Sequence, residues 1–174
     1  MTGSYTISKA TQEDVSAIVN LVNSAYRGEG SKAGWTTEAD LLGGVRVTEE
    51  SVNKMIKEPD SVIVLYKDAG GNTEGCIYLR SEGPDIYLGM LTVAPQSQAK
   101  GIGKILLTIS EEYALEKSSK SIVMTVISVR HELIAWYERH GYYNTGEKKP
   151  FPNDPSFGIP KQELEFIVLK KDLD

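Results

Sequence analysis

Apolar residues in this chain recur at two different periods. Val15, Ile18, Val19, Val22 and Tyr26 follow one another at the three- and four-residue spacing of an amphipathic helix. Thr11, with Asp14 three residues on, supplies its cap, and Gly28 and Gly30 end it. The weakly alternating stretch Tyr5 to Lys9 predicts a first strand. Thr37 predicts the cap of a second short helix through Leu42, broken at Gly43-Gly44. Thr48 opens a third helix, with Glu49 and Glu50 in its positive first turn and Pro59 beyond its end.

From Ser61 the pattern changes. Ser61 to Lys67 is β-branched and apolar and reads as a buried strand. Gly70-Gly71-Asn72 predicts a turn, and Glu74 to Ser81 the second strand of a hairpin. Gly83-Pro84 turns the chain again into a strand from Ile86 to Val93, stopped by Pro95. Ile102, Ile105, Leu106, Ile109 and Tyr113 mark a strong helix that starts near Gly101. A buried strand (Ser121 to Ser128), a helix (Glu132 to His140, ended by Gly141) and a short strand (Tyr142 to Glu147) follow. Residues 148–162 read as a Pro-rich loop, and Leu164 to Leu169 as the last strand. The order β-α-α-α-β-β-β-α-β-α-β-β predicts an α+β fold, a mixed sheet with helices packed on it. With 174 residues and no repeat or linker, residues 1–174 are expected to form a single domain.

Composition narrows the function classes. The net charge is −5, and no dense basic run offers a nucleic acid a footprint. No apolar run is long enough for a transmembrane helix, so no membrane partner is expected. Met1 to Tyr5 lacks the basic-then-apolar order of a secretory signal, and Thr2 stands where myristoylation needs Gly. Cys76 is the only cysteine, so no internal disulfide forms and a cytoplasmic location is the simplest expectation. His131 and His140 have no companion ligands in the sequence, and no metal site is expected. Mild acidity aids solubility and also suits a cationic acceptor such as an amine.

The segment Leu91 to Lys104 carries the chemistry. A strand ends, a polar loop follows and a helix begins. Backbone N–H groups of a first helical turn have no intrahelical partners and suit a phosphate. Gly101 and Gly103 let an anion approach the backbone, Lys100 and Lys104 add charge, and the Gln98 amide can donate. Together these predict a diphosphate site. Leu106 stands where a dinucleotide fingerprint needs its third Gly, and Gln98 and Ile105 break the P-loop pattern.

What remains, Gln98-Ala99-Lys100-Gly101-Ile102-Gly103, resembles the acyl-CoA signature of the GNAT superfamily of N-acetyltransferases. The element order across nearly the whole chain resembles that fold too. Leu133 to Tyr142, with its aromatic-Tyr pair ahead of Gly-Tyr, is similar to the family's second marker. The resemblance implies a three-layer fold with a mostly antiparallel twisted sheet, a splayed parallel strand pair and helices on both faces. It implies acetyl-CoA as cofactor, held by Leu91, Thr92, Val93 and residues 98–104, and possible homodimerisation. Leu91 and Val93 would pair with the pantetheine arm, and a backbone N–H near Leu91 would polarise the acetyl carbonyl. Tyr137 matches the family's general acid, against a reading as core packing beside Leu133 and Ile134.

The chain departs from the family's pattern twice. The strand ending at Val93 carries no Glu to serve as base, and Asp85, Glu82 and Glu29 read as solvated carboxylates. Arg130 replaces a common Asn; it would reach the cofactor or an acidic acceptor group, cap its helix or face water. For the acceptor, the loop 27–36 with Glu29 and Trp35, together with Tyr26 and Tyr87, are the candidates. The implied activity is acetyl transfer to the primary amine of a small molecule or amino-acid derivative. A protein or peptide acceptor and a non-catalytic acyl-CoA sensor remain as alternatives.

Overall fold

In a computed structural model, which describes residues 4–27, 37–98, 100–152, 154 and 158–173, the strand-forming runs assemble into one seven-stranded sheet. Its strands are β1 (Thr6–Lys9), β3 (Ser61–Lys67), β4 (Thr73–Glu82), β5 (Asp85–Val93), β6 (Ser121–Ile127), β7 (Tyr143–Pro150) and β9 (Glu165–Asp172). They lie in the order β1-β3-β4-β5-β6-β9-β7, and only β5 and β6 run parallel. Two short strands, β2 (Leu42–Gly43) and β8 (Ile159–Pro160), pair with each other.

Period-two alternation sends side chains of the central strands to opposite faces. On one face Ile63, Leu65, Cys76 and Tyr78 meet Ile18, Val22 and Val52, from α1 (Val15–Tyr26) and α2 (Glu49–Lys57). On the other, Val64, Ile77 and Leu79 meet Ile102, Leu106, Leu107 and Tyr137, from α3 (Ile102–Glu116) and α4 (His131–Arg139). Two cores therefore sandwich the sheet, the α+β architecture with helices on both faces. Among the described residues, no helix is long and apolar enough to cross a membrane.

The helix expected from Thr37 to Leu42 does not form. Thr37 Oγ1 accepts from the Ala39 N–H, Leu41 and Leu42 donate to the Glu38 carbonyl, and the chain then enters β2. A six-residue helix is too short to repay its nucleation, and strand pairing with β8 competes for the same backbone. The Pro-rich loop is also shorter than expected. A register shift after Asn144, with Gly146 at φ +88°, lets Lys148 to Pro150 rejoin β9. The first helix is preceded by a tight turn, Gln12–Asp14, in which the Thr11 N–H donates to Asp14 Oδ2 at 2.8 Å.

Two irregularities shape the middle of the sheet. β5 and β6 pair only from Asp85–Ser121 to Tyr87–Val123 and then part. Beyond that point β5 carries a bulge. Tyr78 faces Gly89 and Cys76 faces Thr92, so Met90 and Leu91 together oppose Ile77. Met90 takes φ +54° there. The extra residue reverses the alternation: Ile86 and Leu88 pack with α3, Met90 with α1, and Leu91 and Val93 again with α3.

Close docking of α3 on β4 depends on Gly75. A Cβ there would stand 2.9 Å from Ile102 Cγ2 and 3.2 Å from Leu106 Cδ1. Gly75→Ala is expected to destabilise the fold by about 1–3 kcal/mol through overpacking. Thermal unfolding would show this as a lowered Tm; an unchanged Tm would mean α3 can shift without cost.

Candidate active site

Where β5 leaves β6, a cleft of about 330 Å³ opens between the end of β5, the start of α3 and α4. Gly101 caps α3 in the left-handed conformation, φ +85°, which favours glycine. A Cβ on Gly101 would meet nothing within 4 Å, so the space over the helix start is open. The first bond of α3 runs from the Ile105 N–H to the Gly101 carbonyl, 3.1 Å. The N–H groups of Ile102, Gly103 and Lys104 precede it and point toward the helix N-terminal end. Lys104 lines the cleft and Lys100 is exposed beside it. Gln98 donates from Nε2 to the Val93 carbonyl at 3.1 Å, which ties the loop to the strand it leaves. Gly103 lies under Trp136, and a Cβ there would come within 3.2 Å of the indole. Ala99 lies outside the described residues. These features fit a diphosphate-bearing cofactor: unpaired helix N–H groups, flanking lysines and room where a side chain would otherwise stand.

A second cavity, about 250 Å³, lies on the far side of the bulge. Tyr26, Leu91, Arg130, Leu133 and Tyr137 line both spaces and so form the wall between them. Leu91, the second residue of the bulge, accepts a 2.6 Å hydrogen bond at its carbonyl from the Tyr26 hydroxyl. The Thr92 hydroxyl closes the bulge by donating to the Met90 carbonyl at 2.9 Å. Ile102 is buried in the core, so its contribution to the cleft is its backbone. Tyr137 is buried edge-on between Trp136 and Tyr142, with centroids at 5.2 and 5.7 Å. Desolvation by burial, then the neighbouring Tyr26, holds its phenol well above the ordinary 10.0. It therefore stays protonated at neutral pH.

This geometry can be set beside known proteins. A family model described as an acetyltransferase (GNAT) domain matches residues 36–153. The chain belongs to the GNAT acetyltransferase family. No curated protein matches it by sequence. Many solved structures share its fold. The ribosomal-protein-S18-alanine N-acetyltransferase of Escherichia coli has a TM-score of 0.72 at 13% identity, covering 98% of this chain and 95% of that one. Nourseothricin acetyltransferase has 0.70 at 17%, covering 98% and 99%. A GNAT acetyltransferase of Staphylococcus aureus has 0.70 at 14%, covering 98% and 100%. At such identities the likeness is one of fold.

Within this GNAT fold the second cavity has a charged wall that the sequence did not reveal. Glu38 is buried and accepts from two buried arginines, Arg27 at Oε1 and Arg130 at Oε2, both at 2.9 Å. Arg130 occupies the N-cap position of α4, but its side chain runs to Glu38 and does not face water. Arg46 reaches the same cavity and lies over the Tyr26 ring, 5.4 Å from its centroid. The sequence singles out Arg130 by its place in the family's pattern, but no spacing rule marks Arg27, Glu38 or Arg46, because tertiary packing brings them together. Tyr87 lines the cavity with its ring across Gly89 and the Arg80 guanidinium over it at 5.0 Å. Glu29 and Trp35 lie outside the described residues.

Other candidates stand apart. Asp85 accepts from Ser121 at 2.5 Å, Glu82 pairs with Arg80 at 2.9 Å, and neither lines either of these two cavities. Burial pushes the Cys76 thiol up to about 12, which makes it a poor nucleophile. Among the described residues no three His, Cys, Asp or Glu side chains converge to hold a metal.

Glu38→Ala would leave Arg27 and Arg130 buried without the carboxylate they share. A loss of about 3–5 kcal/mol is expected, readable by denaturant unfolding. A loss below about 1 kcal/mol, the range of a surface pair, would mean that the ion pairs are hydrated in solution.

Proposed function

We propose that the protein transfers an acetyl group from acetyl-CoA to the primary amine of a small molecule, with Tyr137 as general acid. One observation carries this reading. Tyr137 stands in the wall shared by two cavities, one of which opens on the N-terminus of α3. Bound there, acetyl-CoA would supply an acetyl group already activated as a thioester. Residues Gln98 to Lys104 are assigned to its pyrophosphate, with the first-turn N–H groups as donors and Lys104 as the nearby charge. The carbonyls of Leu91 and Val93 already accept from Tyr26 and Gln98. The Leu91 N–H is therefore the backbone group assigned to polarising the acyl oxygen.

Tyr137 keeps its proton at Oη, where it is available to a leaving thiolate. The size of the second cavity supports a small acceptor over a peptide. Holding both reactants against one wall supplies much of the rate.

Two measurements test this. Acetyl-CoA at about 100 times its Kd should stabilise the protein by roughly 2.7 kcal/mol. Free-thiol release should follow on addition of a suitable amine. No thermal shift in folded protein would end the cofactor reading. Tyr137→Phe should keep the shift and lower kcat by about 10²–10⁴. If turnover survives, Tyr137 is a packing residue. If no amine yields thiol despite a shift, the sensor reading takes over. Because its phenol is raised, Tyr137 should also produce no descending limb in kcat below pH 10.0.

A further inference from the structure

The charged groups of the two cavities differ. Lys104 and Arg139 line the cleft at α3 alone, whereas Arg27, Glu38 and Arg46 line the second cavity alone. With Arg130, the second cavity gathers three guanidiniums against one carboxylate among the described residues. Both oxygens of that carboxylate are bound by Arg27 and Arg130. Arg46 is paired with no carboxylate among the described residues, and its neighbour is the Tyr26 ring. Arg130 lies over that same ring, 5.8 Å from its centroid. Both guanidiniums thus neighbour the Tyr26 ring, and both line the second cavity.

Arg46 is also held in place by a built support. Asn23, one turn before the end of α1, accepts at Oδ1 from the N–H groups of Arg46 (2.8 Å) and Val47 (3.0 Å). Its Nδ2 donates to the Val47 carbonyl at 3.0 Å. Arg27 donates from Nη1 to the Val45 carbonyl at 3.2 Å. The backbone from Val45 to Val47 is therefore clamped to α1, and the Arg46 side chain projects from a fixed base. A guanidinium matches a carboxylate in two parallel hydrogen bonds. Apart from these charged groups, the lining includes the half-buried apolar side chains Leu133, Phe151 and Phe166.

Resting on the acetyltransferase reading above, we propose that the acceptor is a carboxylate-bearing amine, a free α-amino acid with an apolar side chain, whose carboxylate is bound by Arg46. The excess of guanidinium charge has a second consequence. It disfavours an ammonium in the cavity, so the amine sheds its proton more readily and becomes the nucleophile. This offsets the lack of a base, since Glu38 is the only carboxylate among the described lining residues and is engaged by two arginines.

The test compares each apolar α-amino acid with its α-amide in thiol release from acetyl-CoA, for the native protein, Arg46→Lys and Arg46→Gln. The thermal shift with acetyl-CoA is recorded for all three. The acids should be used at least tenfold better in kcat/KM than their amides. Arg46→Gln should raise KM for the acids at least tenfold and erase the preference over amides. Arg46→Lys should restore part of the binding. The acetyl-CoA shift should stay the same in all three, since Arg46 does not line that cleft. Amides used as well as acids, or a KM unmoved in Arg46→Gln, overturns the proposal. So does an absence of turnover with every acid in protein that acetyl-CoA stabilises, and the cofactor reading then stands. Loss of the shift in native protein would instead remove the acetyltransferase reading itself.

Discussion

After Tyr87 and Val123, β5 has no partner on its β6 side, and both cavities exist because of that parting. A sheet interior normally satisfies every backbone group, so an opened seam exposes donors and acceptors that a ligand can pair with. The bulge at Met90 and Leu91 lies beyond this point on the same strand. A bulge bends its strand and raises the local twist, which suits the divergence of two parallel neighbours. It also reverses which residues face α1 and which face α3. Leu91 consequently lies on the partition between the two spaces, where the hydroxyl of Tyr26 fixes its carbonyl.

The helices then finish what the parting begins. α3 starts at the rim of the opening, so its positive end faces the cleft. Gly75 lets α3 lie close to β4, and Gly103 lets Trp136 lie close to α3. That second contact sets α4 beside the cleft and delivers Tyr137 to the partition. The C-terminal end of α1 supplies the other side, with Asn23, Tyr26 and Arg27 within five residues of one another. One short stretch of helix thus clamps the Arg46 backbone, binds the Leu91 carbonyl and engages Glu38.

Electrostatics divides labour within an acidic protein. The net charge is −5, yet both cavities are lined by cations. Average charge affects solubility and long-range encounter, while a buried guanidinium acts at a few ångströms in a low dielectric. An acceptor preference inferred from overall acidity points to a cation, and the local field of the second cavity points the other way.

Much of this was legible in the chain itself. Period fixed the type of most elements: Val15 to Tyr26 and Ile102 to Tyr113 as helices, Ser61 to Lys67 and Ser121 to Ser128 as buried strands. These segments are long or strongly patterned, so local preference and burial agree. The loop from Gln98 to Gly103 was readable because glycine spacing and a helix start are local features. Thr37 to Leu42 was misread because a cap residue and a polar run are compatible with either outcome. There, pairing with residues over a hundred positions away decided. The bulge, the seam between β5 and β6 and the Arg27–Glu38–Arg130 cluster have no local signature. Each arises when segments distant in sequence meet, and the energy of a buried charge or an unpaired strand edge depends on what surrounds it. The sequence by itself determined the elements and the family; tertiary structure alone decided which charges meet at the partition, because burial belongs to the assembled fold.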